Sequence, residues 1–482
     1  MHYVSPMTHP LHSLFVRNLA GTALAHDTYF EQLRKAEFSR LDDSAQVYLD
    51  YTGGGLHGAS QVERHLGRLM NGVHGNPHSV NPTSMASTQS VEEARSKVLS
   101  FFGAEQDYYC IFTPNASGAL KIVGECYPFS DDGAYLLTAD NHNSVNGIRE
   151  YCKAKGSAFH YAPIQKDLSI DGPQLKSLLA GVQGRNKLFA FPAQSNVSGV
   201  RHPLKWIRKA QRAGWDVMLD AAAFAPTSPL DLSEVRPEFV AVSFYKIFGY
   251  PTGIGALLVR KDAFAKLEKP WYAGGNITLS SVGAANRFLF DDHQRFEDGT
   301  VNYLDIPAIS EGLDFVTAIG MERIKERVES LSKWLHDGLS EIRHPNGEPV
   351  VRFYGPRNRK RCGGTLSMNF LDASGAPIPF QVVEDAAAQK GISLRTGCFC
   401  NPGIDEVNHG IDADALRTYF GEREAGDYFD FMNYSGIARG AVRVSVGVPT
   451  NRADLVAFKA FVSDFVATGQ AHDEAVVRKK AA

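Results

Sequence analysis

The chain reads Phe239-Val240-Ala241-Val242-Ser243-Phe244-Tyr245-Lys246-Ile247-Phe248-Gly249-Tyr250-Pro251-Thr252-Gly253-Ile254-Gly255. Its first four residues form an apolar run typical of a buried strand, and a turn rich in glycine follows. A hydroxyl, a phenol and an amine (Ser243, Tyr245 and Lys246) at the end of such a strand are unfavourable in a core but suit an active site. A lysine there can hold an aldehyde as a Schiff base, while Ser243 and Tyr245 can hydrogen-bond a phosphate. The alternative is a solvated lysine after an ordinary strand.

Composition indicates a soluble globular protein. The chain has 482 residues, 44% hydrophobic and 21% charged, and its 50 basic and 53 acidic residues leave a net charge of −3. We expect neither a nucleic-acid nor a membrane partner, because no long basic or apolar run occurs. The six cysteines are too few and too scattered for a disulfide scaffold. Because the start of the chain also has no signal-peptide pattern, we expect a cytoplasmic protein with reduced thiols.

Two domains are expected from the pattern along the chain. Apolar runs near residues 108–112, 134–138, 187–191, 217–219, 239–242 and 254–259 alternate with amphipathic segments, which is typical of a mostly parallel sheet. An amphipathic helix over 321–342 then leads to strands near 364–370 and 441–446, and Asn451 caps a last helix. We predict an N-terminal segment (1–46) packing on the small domain, a large cofactor-binding domain (47–310), a small C-terminal domain (311–470) and a frayed tail (471–482).

Polar residues follow several of these runs. After the first run, residues 113–118, which include Ala116 and Ser117, lead into a helical pattern that starts at Ala119. Small and hydroxyl residues at a helix N-terminus are a favourable seat for a phosphate. His142 can stack on a flat ring, Asn196 can donate to a phenolate oxygen, and Asp220 can keep a pyridinium nitrogen protonated. Each also has an ordinary structural alternative, such as a helix cap or a satisfied core histidine. Since ligands of parallel sheets bind beyond the carboxyl ends of the strands, these groups together with Lys246 predict pyridoxal 5′-phosphate as the cofactor.

A second cluster is Arg395-Thr396-Gly397-Cys398-Phe399-Cys400-Asn401-Pro402-Gly403. Alternation about Phe399 predicts an extended loop with both sulfurs on one side. A structural zinc site needs about four ligands, and only His409 lies near in sequence, so we predict no metal. Arg395 would favour an ionised, reactive thiolate; buried inert cysteines are the alternative.

Arg443 is the only charge in the apolar pattern of residues 441–446. A buried arginine needs a carboxylate, and an amino-acid substrate supplies one that can be bound bidentately. We therefore predict that Arg443 binds the substrate carboxylate.

These segments resemble the class V aminotransferase superfamily of fold-type I pyridoxal-phosphate enzymes. Within it they are similar to the cysteine desulfurases, and most of all to the aminotransferase-like domain of molybdenum cofactor sulfurases. The resemblance covers residues 47–466 and is carried by Tyr48-Leu49-Asp50, Asn76-Pro77-His78-Ser79, residues 142–150, Ser228-Pro229-Leu230-Asp231-Leu232, residues 243–255, Phe296-Glu297-Asp298-Gly299-Thr300 and residues 395–403. It implies an α/β fold with a large, mostly parallel seven-stranded sheet and a smaller α+β C-terminal domain.

The resemblance also implies roles for the candidate residues. The catalytic residues would be Lys246, Cys400 and His142, with Cys400 carrying a persulfide. The cofactor would be held by Ala116, Ser117, His142, Asn196, Asp220, Ser243, Tyr245 and Lys246, with Thr300 reaching across from a second subunit of a homodimer. The substrate would be bound by Arg443 and Arg395. The implied reaction removes sulfur from L-cysteine, giving alanine and a persulfide for a sulfur-acceptor protein.

Two departures from the family pattern qualify this expectation. Molybdenum cofactor sulfurases continue into a domain that binds the molybdenum cofactor, whereas this chain stops about where that domain would begin. Gly403-Ile404-Asp405-Glu406 also stands where the family has another cysteine. We therefore expect a stand-alone desulfurase. The alternatives are a C–S or C–Se lyase, or other amino-acid chemistry, in which Cys400 is not the nucleophile. The intact Lys246–Asp220 pair argues against a non-catalytic, partner-binding subunit.

Overall fold

The computed structural model describes residues 23–466, with side chains from residue 28 onward. Predictions for residues 1–22 and for the tail 471–482 lie outside the described residues. The strands are β1 (Val47–Tyr48), β2 (Tyr108–Thr113), β3 (Ala134–Thr138), β4 (Ala158–Ala162), β5 (Lys187–Pro192), β6 (Asp216–Asp220), β7 (Phe239–Ser243), β8 (Gly255–Arg260), β9 (Ile277–Ser281), β10 (Asn286–Leu289), β11 (Val351–Tyr354), β12 (Thr365–Phe370), β13 (Ile392–Ser393), β14 (Arg395–Gly397) and β15 (Ala441–Ser445).

The helices are α1 (Ala23–Glu37), α2 (Arg40–Asp43), α3 (Ala59–Asn71), α4 (Pro82–Phe101), α5 (Ala116–Cys126), α6 (Asn143–Asn146), α7 (Ile148–Ala154), α8 (Gly172–Gly181), α9 (Lys205–Arg212), α10 (Leu232–Val235), α11 (Phe244–Phe248), α12 (Lys261–Phe264), α13 (Ala308–Ile319), α14 (Met321–Ser340), α15 (Phe380–Gln389), α16 (Pro402–His409), α17 (Ala413–Gly421), α18 (Tyr428–Ser435) and α19 (Arg452–Ser463). Short 3₁₀ helices cover His293–Phe296 and Arg359–Arg361. Among the described residues, no helix is both long and apolar enough to cross a membrane.

A seven-stranded sheet forms the large domain, in the order β2-β8-β7-β6-β5-β3-β4. Neighbouring strands are parallel except where β8 meets β2 and β7. All strands but β8 therefore run in one direction, and their carboxyl ends meet at one edge of the sheet. The predicted large, mostly parallel sheet is confirmed, and this edge is where a ligand is expected.

The central strands are buried on both faces, which explains why their sequences are continuous apolar runs. In β7, Phe239 and Ala241 face one hydrophobic cluster while Val240 and Val242 face the other. Successive side chains of a strand point to opposite faces, so one short run anchors the helical layers on both sides. The strand is thus packed on both faces just before the turn that carries Lys246.

A four-stranded antiparallel sheet, β11-β12-β15-β14, forms the small domain. The predicted long helix is present as α14, with Ile324, Val328 and Leu335 buried. Asn451 caps α19 as predicted, because its side chain accepts a hydrogen bond from the Asp454 N–H at 3.0 Å. Sheet and helices together form the predicted smaller α+β layer.

The segment before the large sheet is tied to the small domain. In α1, Arg34 donates to Asp454 of α19 at 2.6 Å and to the Pro449 carbonyl at 2.7 Å. β1 pairs in parallel with β13. The packing of residues 1–46 on the small domain and the domain boundaries remain predictions.

Candidate active site

Lys246 lies in a one-turn helix directly after β7. Burial of Phe244, Ile247 and Phe248 in α11 turns Tyr245 and Lys246 toward a cavity. Gly249 ends the turn with φ +82°, and a Cβ there would clash with the backbone of Leu56 and His57. Only glycine suits such a left-handed, crowded position, so the chain turns sharply away and leaves the amine accessible.

A cavity of about 270 Å³ brings the predicted cofactor residues together. It lies at the carboxyl-end edge of the large sheet. Eight predicted residues line it: Ala116, Ser117, His142, Asn196, Asp220, Ser243, Tyr245 and Lys246. The lining also includes Asn115, Ser144, Gln194 and Thr252, which had no predicted role.

One end of the cavity suits an anion. Asn115 caps α5 by accepting a hydrogen bond from the Gly118 N–H at 3.0 Å, and Ser243 Oγ accepts one from the Ala116 N–H at 2.9 Å. Ser117 Oγ lies 2.5 Å from Ser144 Oγ. A helix N-terminus with hydroxyls around it attracts negative charge through the helix dipole and its N–H groups.

The amine of Lys246 lies in an environment that disfavours its charged form. Burial lowers its pKa, and Arg443 and Arg395 lower it further, while Asp220 opposes them. Asp220 ends β6, and one of its carboxylate oxygens accepts a hydrogen bond from the Ala222 N–H at 2.9 Å. A lysine with a depressed pKa is more often the neutral nucleophile that bonds to an aldehyde.

His142 is held as a neutral imidazole. The Ser144 N–H donates to Nδ1 at 3.1 Å, so this nitrogen carries no proton. Burial lowers the His142 pKa, against the opposing effect of Asp220. A neutral ring that lines the cavity is suited to stacking on a flat ligand.

Asn196 has a contact that the sequence did not predict. Its Nδ2 donates to the Phe399 carbonyl at 2.9 Å, and its Oδ1 accepts from Asn401 Nδ2 at 3.0 Å. A side-chain amide carries two N–H hydrogens, so one remains for the predicted phenolate contact. Asn196 therefore joins the cavity to the loop that carries Cys400.

The extended loop predicted for Cys398 and Cys400 is wrong. Phe399 and Cys400 have φ of +56° and +54°, and the Asn401 N–H donates to the Cys398 carbonyl at 3.0 Å. These values define a tight turn, which buries Phe399 and leaves Cys400 exposed. Left-handed backbone at two successive non-glycine residues is strained and persists only where the surroundings hold it.

Backbone contacts fix this turn beside the cavity. The Asn143 N–H, next to His142, donates to the Cys400 carbonyl at 2.7 Å. Asn401 is fully buried and donates to the Asp140 carbonyl at 2.7 Å. Within the described residues, the cavity lining itself does not include Cys400. Cys398 is half-buried, and burial raises the pKa of its thiol.

The two candidate substrate-binding arginines both pair with Asp50. Arg443 NH2 lies 2.8 Å from Asp50 Oδ1, while Arg395 Nε and NH2 lie 2.9 and 2.7 Å from Oδ2. The protein itself thus supplies the carboxylate that buried Arg443 needs. The expectation that Arg395 acts on the thiolate is also corrected, because its guanidinium is directed to Asp50.

Thr300 is exposed and lies outside the residues that line the cavity of this chain. Its predicted contact with a neighbouring subunit remains a prediction. Over residues 23–466, no cluster of three or more histidine, cysteine or carboxylate side chains could hold a metal ion.

Asp50 and Asn401 also contact predicted site residues, although no role was predicted for them. Asp50 lies in the quoted Tyr48-Leu49-Asp50 segment, and the need of Arg443 for a carboxylate was a signal that could have led to it. Asn401 follows Cys400 directly, but no sequence signal indicates that its side chain reaches Asp140 and Asn196.

Fold and cavity define a pyridoxal-phosphate protein, and comparison gives its family. Residues 47–458 match the family described as aminotransferase class-V, and the chain belongs to it. The molybdenum cofactor sulfurases of Drosophila erecta and Homo sapiens are 38% and 37% identical over 460 and 459 residues. These matches cover 87% and 90% of this chain but 58% and 51% of those proteins. The chain therefore spans about half the length of the curated relatives it matches.

A solved structure supports the same assignment. The apo cysteine desulfurase of Thermococcus onnurineus NA1 has a TM-score of 0.76 and 25% identity, covering 90% of this chain and 98% of that one. The predicted family and fold are confirmed. The cavity offers the donor set that pyridoxal phosphate requires: an amine, a carboxylate, an imidazole and hydroxyls at a helix N-terminus. The predicted cofactor therefore fits both the family and the residues present.

Proposed function

We propose that this protein is a cysteine desulfurase that binds L-cysteine at the Lys246 cavity and transfers its sulfur to Cys400. The observation that carries the proposal is the attachment of the Cys400 turn to the cavity. Asn143 donates to the Cys400 carbonyl, and Asn196 of the cavity lining donates to the Phe399 carbonyl. The turn that carries the exposed Cys400 thiol is thereby attached to the cavity lining at Asn196 and to the residue after His142.

The cavity residues would divide the work of holding the cofactor. Lys246 would bond to its aldehyde, Asp220 would pair with the ring nitrogen, and His142 would lie against the ring. The α5 N-terminus with its surrounding hydroxyls would hold the phosphate. When bound, pyridoxal phosphate supplies an electron sink that eases proton loss from the substrate Cα. Lys246 Nζ, whose pKa is lowered by burial, would take up that proton and later return it.

Cys400 would perform the sulfur transfer. Its thiolate would attack the substrate sulfur, so that an S–S bond forms while the substrate Cβ–S bond breaks. Cysteine and the enzyme thiol become alanine and an enzyme persulfide, which keeps atoms and electrons balanced. Exposure of Cys400 would let an acceptor thiol or a sulfur-acceptor protein collect the sulfur.

The test is Cys400→Ser, compared with Cys398→Ser. Serine is too weakly acidic to replace a thiolate, so Cys400→Ser should still bind cofactor and cysteine while alanine and sulfide formation fall to background. Cys398→Ser should retain most turnover, because its thiol is half-buried and has a raised pKa. Wild-type turnover by Cys400→Ser would refute the persulfide mechanism.

One observation favours a second function. Cys400 is not among the described residues that line the cavity, which suits a C–S or C–Se lyase acting without a cysteine nucleophile. The same Cys400→Ser assay separates the two, because a lyase keeps its turnover.

Assembly and location complete the proposal. We propose a homodimer in which Thr300, exposed on each chain, contacts the neighbouring cofactor phosphate. Light scattering should give a dimer, and a fully active monomer would refute the shared site. The scattered positions of the six cysteines, all unpaired, support a cytoplasmic location.

A further inference from the structure

We propose that Asp50 is a specificity-determining residue that restricts the site to amino acids with an uncharged side chain. The inference rests on the proposed function, since it concerns the substrate of the same cavity. Asp50 would balance one of two arginine charges, leaving room for one substrate carboxylate. L-cysteine and L-alanine carry one carboxylate, whereas L-aspartate carries two.

Geometry places one anion between two cations. Asp50 is 7% exposed and uses separate oxygens for the two arginines, at 2.8 Å to Arg443 and 2.7 Å to Arg395. Both arginines and Asp50 lie close enough to Lys246 to influence its pKa. None of the three residues is among the described residues that line the cavity, but Arg443 donates to the carbonyl of Asn196, which does line it. The group formed by Asp50, Arg395 and Arg443 therefore lies next to the cavity, and it carries a net charge of +1.

Arg443 keeps a donor that Asp50 does not use. Its NH2 binds Asp50 and its NH1 donates to the Asn196 carbonyl at 2.9 Å. Its Nε is buried and makes no hydrogen bond within the described part of the chain. An unsatisfied buried donor of a cation is costly, so a substrate carboxylate that reached the Arg443 Nε–H would remove that cost.

Charge balance then decides which substrate is favoured. One carboxylate brings the group of three side chains plus substrate to zero net charge. A second carboxylate leaves an uncompensated negative charge in a partly buried site, which is unfavourable. Asp50 would thus disfavour acidic amino acids without touching their side chains.

The test uses Asp50→Asn, which keeps the shape of the side chain and removes its charge. Dissociation constants for L-alanine and L-aspartate would be measured on the loaded protein from the cofactor absorbance. Acetate and succinate would be titrated into the apoprotein by calorimetry, which needs no bound cofactor. We expect the affinity for the dicarboxylate relative to the monocarboxylate to rise by about tenfold or more. Two unit charges several ångströms apart interact with about this strength at an effective dielectric constant of about 20.

A charge-restoring variant separates specificity from structure. In the double variant Asp50→Asn/Arg395→Gln, the group of three side chains has a net charge of +1 again. The wild-type preference for the monocarboxylate should therefore return. Asp42→Asn is the matched control, because Asp42 also pairs with an arginine, Arg34, but lies on α2 and is not among the groups that act on the Lys246 pKa. This control should leave the preference unchanged.

The outcomes are distinct. An unchanged preference in Asp50→Asn, or one that the double variant does not restore, overturns the proposal. If Asp50→Asn fails to fold, Arg395→Gln is compared with the double variant, which should bind L-alanine more tightly; equal affinity overturns the proposal. Binding does not depend on Cys400 chemistry, so a shifted preference together with an active Cys400→Ser variant would refute the desulfurase but not the role of Asp50.

Discussion

Asn401→Ala should loosen the turn that presents Cys400. The Asn401 side chain is fully buried and donates to the Asp140 carbonyl at 2.7 Å and to Asn196 Oδ1 at 3.0 Å. Alanine removes the donor to the buried Asp140 carbonyl and the donor to the partly buried Asn196 Oδ1. Each loss costs about 1–2 kcal/mol, for a total of about 2–4 kcal/mol. In the wild-type protein this free energy opposes opening of the turn, whose backbone is strained at Phe399 and Cys400. Its loss should therefore make the turn open more often.

Native-state hydrogen exchange measures this opening directly. At about 1.36 kcal/mol per factor of ten, the loss predicts roughly 30- to 900-fold faster exchange of the Asn143 and Asn401 amides, which donate within and to the turn. The control is Asn433→Ala, on the exposed side of α18. Cofactor binding should persist while sulfur transfer falls. Unchanged exchange in the peptide around residues 398–403 would refute the reasoning.

Four further predictions concern the Lys246 amine and a buried ion pair. Lys246→Ala should lose the visible absorbance of covalently bound cofactor, and a variant that keeps this band would exclude Lys246 as its attachment point. In the apoprotein, Asp220→Asn should lower the Lys246 pKa further, because the Asp220 carboxylate opposes the lowering. The pH profile of aldehyde capture by Lys246 should therefore move to lower pH. A move to higher pH would contradict this effect of Asp220 on Lys246. The Lys246 pKa is lower in the folded apoprotein than in the unfolded chain. At pH values between these two pKa values the unfolded chain therefore binds more protons, so the contribution of Lys246 to the free energy of unfolding should rise with pH there. Unfolding of the apoprotein at a series of pH values would measure this rise. Glu297→Gln should destabilise the fold by about 3–5 kcal/mol, since it removes the charge of the buried carboxylate partner of Arg95. Glu92→Gln, at the exposed carboxylate partner of the same arginine, should cost less than about 1 kcal/mol, and equal losses in thermal unfolding would be inconsistent with this difference.

The strands at the centre of the large sheet could be predicted because their signal is local. Residues 187–191 and 239–242 are continuous apolar runs, and a strand buried on both faces needs such a run wherever it occurs. β4 lies at the sheet edge and is largely exposed, so Ala158–Ala162 has no comparable apolar pattern and was not predicted from the residues.

The cofactor end of the site was also predictable, for a topological reason. Parallel strands bring their carboxyl ends to one edge, so residues such as Asp220 and Ser243 meet although they lie far apart in sequence. Knowing the strand order was not necessary, because every parallel strand delivers its last residue to the same place.

The substrate end depended on the tertiary structure. Asp50 lies 345 and 393 residues from Arg395 and Arg443, and their pairing requires the small domain to close over the start of the large one. The left-handed turn at Phe399 and Cys400 is likewise imposed by contacts from Asn143, Asn196 and Asp140, since neither residue type prefers that conformation. The sequence by itself therefore determined the chemistry available to the cavity. Only the tertiary structure decided which charges lie together next to the cavity and how the Cys400 turn is held, because those depend on contacts between distant segments.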